Sequence, residues 1–367
     1  MNGAFSYIFT HGGNKNEKNE EFFKRKNVTF SPKKYFVDAM GSMALGLFAS
    51  LLIGTIFDTI GTYTNWVFIT ELASFAKQAT GAALGVAIAY SLQAPPLVLL
   101  SAAAVGIAGN NIGDVFMLGG VEKSVTAGPA GAFVAVLVAV ELGKLVSKET
   151  HIDILVTPTV TIVSGVAVAK LIGPAIAYCM YWLGYFVNTA TEMQPVLMGI
   201  IISVVVGMVL TLPISSAALC AMIGISGIAG GAAGAGCCAQ MVGFAVISFS
   251  VNGFSGIVAQ GIGTSMLQMG NIVKNPRIWI APTLASAITG PISTAVFGLK
   301  CVGVSAGMGT CGLVSPINMI ANSTMDLKGW VGILLVCFVL PAVLSWVINF
   351  VLLKLGWVKK EDYKLAL

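Results

Sequence analysis

Apolar segments of about twenty residues recur from Phe36 to Leu353, parted by short polar stretches. That pattern decides what the chain can become, since a helix needs roughly 20 apolar residues to cross the hydrocarbon layer of a bilayer. Only 10% of the 367 residues are charged while 56% are hydrophobic, and mean hydropathy is +0.89. A soluble domain carries far more charge than this. The sequence therefore predicts an all-α polytopic membrane protein, and about ten transmembrane helices fit the segments. So little polar sequence separates them that no attached soluble catalytic domain is expected.

One stretch resists division into plain spans. From Asn271 to Asn318 a basic loop, Lys274-Asn275-Pro276-Arg277, precedes apolar sequence cut by Ala281-Pro282-Thr283, Thr289-Gly290-Pro291, Gly307-Met308-Gly309 and Ser315-Pro316. Broken backbone at membrane depth persists only where protein or a water-filled cavity surrounds it, because lipid leaves free peptide groups unsatisfied. The expectation is re-entrant segments and interrupted helices beside a transport pathway.

Charge sets the ends. The formal net charge of +5 is no nucleic-acid signal, because its positive part lies in the tails. Residues 1–34 hold Lys15, Lys18, Lys24, Arg25, Lys26, Lys33 and Lys34, with no early apolar core of the signal-peptide kind. The second tail, 356–367, holds Lys359, Lys360 and Lys364. The positive-inside rule makes both tails cytoplasmic, and anionic lipid headgroups are natural neighbours of such patches.

Between the tails, Phe36–Ile60 and Trp66–Tyr90 predict the first two spans, with Lys77 pairing with Glu71 or snorkelling. Pro95–Ala108 is short and runs into Gly109-Asn110-Asn111-Ile112-Gly113-Asp114, which has the chemistry of a turn. Val125–Val146 ends on Lys144 and Lys148. Ile154–Gly173 is followed by an aromatic interfacial or tilted arm, Pro174–Asn188. Then come Val196–Leu212, Ile214–Ala229, the run Gly230–Gly236 that permits close helix contact or unwinds, Met241–Val258 broken at Asn252-Gly253, and Trp330–Leu353.

The seven cysteines form no Cys-x-x-Cys motif and read as small apolar residues at helix contacts. His11 and His151 lie outside the spans, so no histidine proton relay is expected. No metal cluster, phosphate loop or nucleophile–base pair stands in the sequence, so neither a cofactor nor an enzymatic activity is expected.

Several blocks carry a family resemblance. Gln78–Ser91 and Ala127–Phe133 with Glu141-Leu142-Gly143 resemble adjoining spans of EIIC permeases of the phosphotransferase system. Thr157–Gly165, ending in Ile172-Gly173-Pro174, resembles their long connecting arm. Gly261-Ile262-Gly263-Thr264-Ser265-Met266-Leu267-Gln268, with Asn275-Pro276-Arg277 and Ala281-Pro282-Thr283 behind it, is similar to the EIIC-like proteins grouped with the perfringolysin regulator. The resemblance covers roughly residues 35–355. It implies an EIIC fold, with an N-terminal scaffold and dimerisation half over 35–190 and a C-terminal substrate half with re-entrant hairpins over 191–355. It also implies a homodimer in the bacterial cytoplasmic membrane that moves a sugar or polyol. With no EIIB or EIIA domain fused, a phosphoryl donor would be a separate EIIB-type protein. One departure matters. Fructose- and glucose-type members hold sugar with a carboxylate in a Glu-Gly-Ala-Ile-Pro-like turn, where this chain reads Ile288-Thr289-Gly290-Pro291-Ile292-Ser293. The strong charge-assisted hydrogen bonds of a carboxylate are missing there.

The leading functional expectation is a permease working by alternating access. Neutral donors and acceptors match a polyhydroxylated solute without the desolvation cost of full charges. The expected substrate site takes Asn110, Asn111 and Asp114 from one side and Gln268, Asn271, Thr289, Ser293 and Asn318 from the other. Two alternatives stay open. One is a membrane sensor that binds without transporting; the other is an ion-coupled secondary transporter using Asp58, Asp114 or Glu141.

Overall fold

Helices must dominate here, because a segment in lipid has to satisfy its own backbone groups. A computed structural model of the chain describes residues 22–28, 31, 34–118, 121–324 and 326–365. Most of the first basic tail, with Lys15, Lys18 and Lys33, lies outside the described residues, as do residues 366–367.

Helix α1, Met40–Thr62, follows a wide π-turn over Lys34–Ala39 and contains a second one at Phe48–Leu52. The next pair, α2 (Val67–Gln78) and α3 (Thr80–Ser91), meets at a 47° bend. Proline at the first position starts α4, Pro96–Asn111. Close packing of α3 on α4 explains the glycines of that block: a Cβ on Gly85 would stand 2.0 Å from the Ala102 carbonyl, and one on Gly106 would stand 2.2 Å from that of Gly81.

Contrary to the expected turn, α4 stays helical through Asn110 and Asn111. The chain then forms an antiparallel hairpin, β1 (Gly113–Leu118) with β2 (Val121–Thr126), in which Gly113 faces Thr126 and Asp114 faces Val125. Helix α5, Gly128–Val146, follows. Helix α6 is one continuous element, Asp153–Ala190, with Pro158 and Pro174 both inside it. Its 38 residues make it about 57 Å long at 1.5 Å per residue, so the expected separate arm is the outer part of a single helix. The hairpin rests on it through Phe116, whose ring stacks on Tyr181 at 5.0 Å.

The remaining helices are α7 (Pro195–Thr211), α8 (Ser216–Ile223), α9 (Gly227–Ile247), α10 (Phe249–Val258), α11 (Met269–Lys274), α12 (Pro276–Phe297), α13 (Gly303–Ala306), α14 (Val314–Asn322) and α15 (Leu327–Lys354). The glycine run resolves as close contact. Helix α9 is intact, and 89% of its span window is buried, against 28% for α6. It is the central post on which α7, α12 and α15 pack. A Cβ on Gly231 would lie 1.9 Å from the Leu299 carbonyl, and one on Gly236 would lie 2.0 Å from that of Ser203.

Among the described residues, six helices are long and apolar enough to cross a membrane, or seven with the bent α2–α3 pair as one span. The sequence count of about ten exceeds this for physical reasons. Pro96–Asn111 and Pro195–Thr211 are shorter apolar helices that fall short of the roughly 30 Å hydrocarbon layer. The expected span Ile214–Ala229 breaks at Gly224–Ser226, and Met241–Val258 divides between α9 and α10, with Gly253 left-handed at φ 60°. The expected turn at Thr289-Gly290-Pro291 is helical within α12, so the irregular stretch is broken at Asn275 and over 298–313, around the single turn of α13. Lys77 pairs not with Glu71 but with Asp58, at 2.6 Å.

Two large apolar cores result. The first gathers Met43, Leu84, Ile88, Val98, Val105, Val136 and Val140 from α1 and α3–α5, and it also takes in Ala259, Met266, Leu267 and Met269. The second surrounds α9 with Ile202, Val206, Ala233, Cys237, Cys238, Val336 and Cys337. The segment 259–269 therefore forms the seam between them.

Candidate functional site

Three interruptions in the chain meet at that seam. After α7 the backbone turns extended at Leu212, passes Pro213 and restarts as α8; the Ser216 hydroxyl donates to the Gly307 carbonyl at 2.6 Å. After α10 the helix widens over Ala259–Gly263, becomes extended at Thr264 and resumes as a 3-10 turn over Ser265–Gln268. The Thr264 hydroxyl caps that turn by accepting the Met266 amide at 3.2 Å. The third interruption runs from Gly298 to Leu313. Gly298, Gly309 and Gly312 are left-handed there, and so is Leu313 at φ 59°, an outlying conformation for a bulky side chain.

A cavity of about 80 Å³ lies where they converge. Leu210, Ile214, Ser215, Ser216, Ala217, Gly263, Thr264, Met266, Met308 and Cys311 line one wall; Leu47 and Leu51 of α1 and Pro129 of α5 line the other. Leu51 is the twelfth of the 23 residues of α1, so the cavity sits at mid-span, level with the helix's internal π-turn. Wide turns of this kind favour functional positions. Behind the wall runs a neutral polar chain of buried and half-buried groups. Thr211 bonds Ser265 at 2.8 Å and Gln240 at 3.4 Å, while Gln240 donates to Thr283 at 3.2 Å and accepts from the Trp279 indole at 3.0 Å. The buried Thr310 hydroxyl, beside Cys311, has no hydrogen-bond partner in the structure.

One step along the same seam a second cavity of about 270 Å³ is lined by Asp38, Gly41, Ser42 and Leu45, by Leu267, Gly270, Asn271 and Lys274, and by Lys364 and Leu365. The neighbouring core residues Met266 and Leu267 line the first and the second cavity respectively. Amides floor this mouth and hold the C-terminal segment. Gln268 donates to Gln260 at 2.8 Å and to the Tyr363 carbonyl at 3.0 Å. Asn271 donates to Gln268 at 2.8 Å and to the Lys364 carbonyl at 3.0 Å. Asn252 donates to the Tyr363 carbonyl at 2.8 Å and accepts the Leu365 amide at 2.9 Å. The buried Tyr363 hydroxyl donates to Asn349 at 2.6 Å, and burial, with Asp362 adding to it, pushes its phenol pKa up. The second tail, expected to be cytoplasmic, is thus tied into the protein through Tyr363, Lys364 and Leu365.

The eight expected site residues fall into four places. Gln268 and Asn271 share the amide cluster, and Asn271 lines the second cavity. Thr289 and Ser293 are buried in α12, bonded to the Ser286 and Gly231 carbonyls at 3.3 and 3.1 Å. Asn318 accepts from the Val302 amide at 3.1 Å and from the Cys301 thiol at 3.2 Å, pinning the broken loop. Asn110 and Asn111 bond each other at the end of α4, and Asp114 accepts the Val115 amide on the hairpin. Of the acidic residues considered for ion coupling, Asp58 pairs with Lys77 and Glu141 with Lys144 at 3.1 Å. Sequence reasoning missed the lining residues Ser215, Ser216, Thr264 and Cys311. Their signal was the breakers beside them, Pro213, Gly263 and Gly309, which were visible while the amides took the weight.

Fold and seam together define a polytopic helical membrane protein whose interrupted helices surround an interior cavity at mid-span, an arrangement known from membrane transporters. The family described as Phosphotransferase system, EIIC, matches residues 37–365, and the chain belongs to that family. Its members are membrane permease components of the phosphotransferase system, acting with other components of that system as transporters rather than as catalytic enzymes. No curated protein and no solved structure matches the chain.

Proposed function

We propose that the protein carries a small polar solute, a sugar or polyol, along the seam between the two cores by alternating access. The observation that carries this reading is the convergence of three helix interruptions on one cavity at the middle of α1. Interrupted helices at that depth expose backbone groups suited to ligand contact. The lining is mostly apolar, with the hydroxyls of Ser215, Ser216 and Thr264 set in it and no carboxylate, which suits a neutral ligand over a charged one. A space of about 80 Å³ holds a few waters, so a sugar enters only when the seam widens. In this reading residues 35–190 form the scaffold and dimerisation half and 191–355 the substrate half. Both ends face the cytoplasm of a bacterial cell, and a separate EIIB-type protein supplies the phosphoryl group. Asp58 and Glu141 are each paired with a lysine, which counts against those two as ion-coupling groups.

The test is uptake into proteoliposomes from a panel of labelled sugars and polyols. Saturable uptake of one solute, unaffected by proton and sodium ionophores, is the expected result. Binding without uptake would favour a sensor, and uptake collapsed by an ionophore would favour ion coupling; either outcome overturns the proposal.

A further inference from the structure

A different cavity lies where α4 begins and α5 ends. It measures about 420 Å³ and is lined by Arg25, Lys26, Lys144 and Lys148, with Glu149 the one carboxylate among its lining residues. It also contains Pro95, the residue that opens α4.

We propose that this cavity binds a phosphoryl group, on a lipid headgroup or as free phosphate. Four cations against one carboxylate leave the lining at a formal +3, which the Glu141 carboxylate paired with Lys144 behind the wall reduces to +2. Two of the cations are built into the protein. The Lys144 side chain is 0% exposed and the Lys26 side chain 8%. Lys26 is fixed by the Ser147 carbonyl and Glu149, so it cannot swing away to solvent. Arg25 is fixed to Glu149 at 2.8 Å, which leaves the rest of its five-donor fork for an anion.

The backbone adds to this. The first turn of α4 has no side-chain cap, and the positive end of a 16-residue helix attracts phosphate. Three of the five non-glycine residues with left-handed backbone among the described residues, Asn27, Gln93 and Lys148, line this one cavity. The Asn27 amide bonds Gln93 at 2.6 Å, and the Lys148 amide bonds Asp153 at 2.7 Å, so the strained turns are held in register around the basic wall. A membrane-side cavity built to this extent exceeds what a diffuse charge at the membrane surface requires.

The experiment uses the full chain in neutral detergent, titrated with inorganic phosphate against chloride at matched ionic strength, because screening alone moves exposed charges. In parallel, the protein is purified from bilayers of phosphatidylglycerol or of phosphatidylcholine and its retained lipids are weighed by native mass spectrometry. Saturable thermal stabilisation by phosphate, or selective retention of phosphatidylglycerol, is expected. The first identifies free phosphate as a ligand and the second the lipid headgroup. Arg25→Gln combined with Lys148→Gln should weaken the effect at least about tenfold, as loss of charge-assisted bonds requires. Arg25→Gln alone, at a side chain 65% exposed, tests the same point if the double variant melts early. Neither phosphate nor anionic lipid acting, or both acting equally on wild type and variants, overturns the proposal.

Discussion

Replacing Gly236 with alanine tests whether α9 is the post around which the second core is built. The new Cβ would lie 2.0 Å from the Ser203 carbonyl oxygen and 2.5 Å from its carbon. An ordinary carbon–oxygen contact is about 3.4 Å, so α7 would have to retreat by about 1.4 Å, the difference of the two. The obstacle is helix backbone, which cannot rotate away as a side chain does. Retreat also strains the bond from the Ser203 hydroxyl to the Ser286 carbonyl, now 2.8 Å, which ties α7 to α12. Overpacking of this kind costs about 1–3 kcal/mol, with the upper half of that range expected here. Gly41→Ala is the control: nothing lies within 4 Å of its Cβ, so alanine should be neutral or slightly stabilising. Thermal unfolding of both variants in the same detergent measures the difference. If Gly236→Ala melts with the wild type, the reasoning about α9 is wrong.

Other perturbations follow from named contacts. Gln268→Leu removes two donated bonds and one accepted bond beside the second cavity; with about 1–3 kcal/mol for each buried partner stranded, trypsin should cut sooner at Lys359, Lys360 and Lys364. Asn318→Ala strips the Val302 amide of its acceptor, and hydrogen exchange there should quicken while that of α9 stays slow. The Glu149 carboxyl is held below its ordinary value of 4.5 by the hydrogen bond from Lys26 and then by the Arg25 charge. A depressed carboxylate pKa stabilises the folded form above the ordinary value and loses that effect as pH falls through the folded one. Exchange over residues 22–28, corrected for intrinsic rate, should therefore rise below about pH 4.5 and be insensitive to that change in Glu149→Gln.

Much of the architecture was legible because hydrophobic length is a local property. The scarcity of charge identified the membrane class, and the blocks around Gly81, Gly131 and Gly263 carried the family. The ends of α5, α7 and α15 lay within a few residues of expectation, since Pro and Lys mark them. What the sequence hid was tertiary. Pro174 and Pro291 read as breaks, yet both sit inside helices, where neighbouring helices and π-turns accommodate them. Asn110 and Asn111 read as a turn from their chemistry, yet they close a helix that leads into a hairpin. The amide cluster looked like a ligand site and holds the chain's own residues 363–365. The mid-span cavity was hidden because its wall is assembled from segments at 47–51, 210–217, 263–266 and 308–311, whose breakers are visible one by one while their convergence is tertiary.

The central claim is that solute passes through that cavity, and filling it is the most direct test. Ala217 lines it and is half-buried, and in Ala217→Phe a phenyl ring occupies the space of about 80 Å³. The initial rate of uptake of the transported solute into proteoliposomes should fall to background in this variant, while Ala217→Ser transports and both melt near the wild type. Uptake by Ala217→Phe at the wild-type rate would contradict the account.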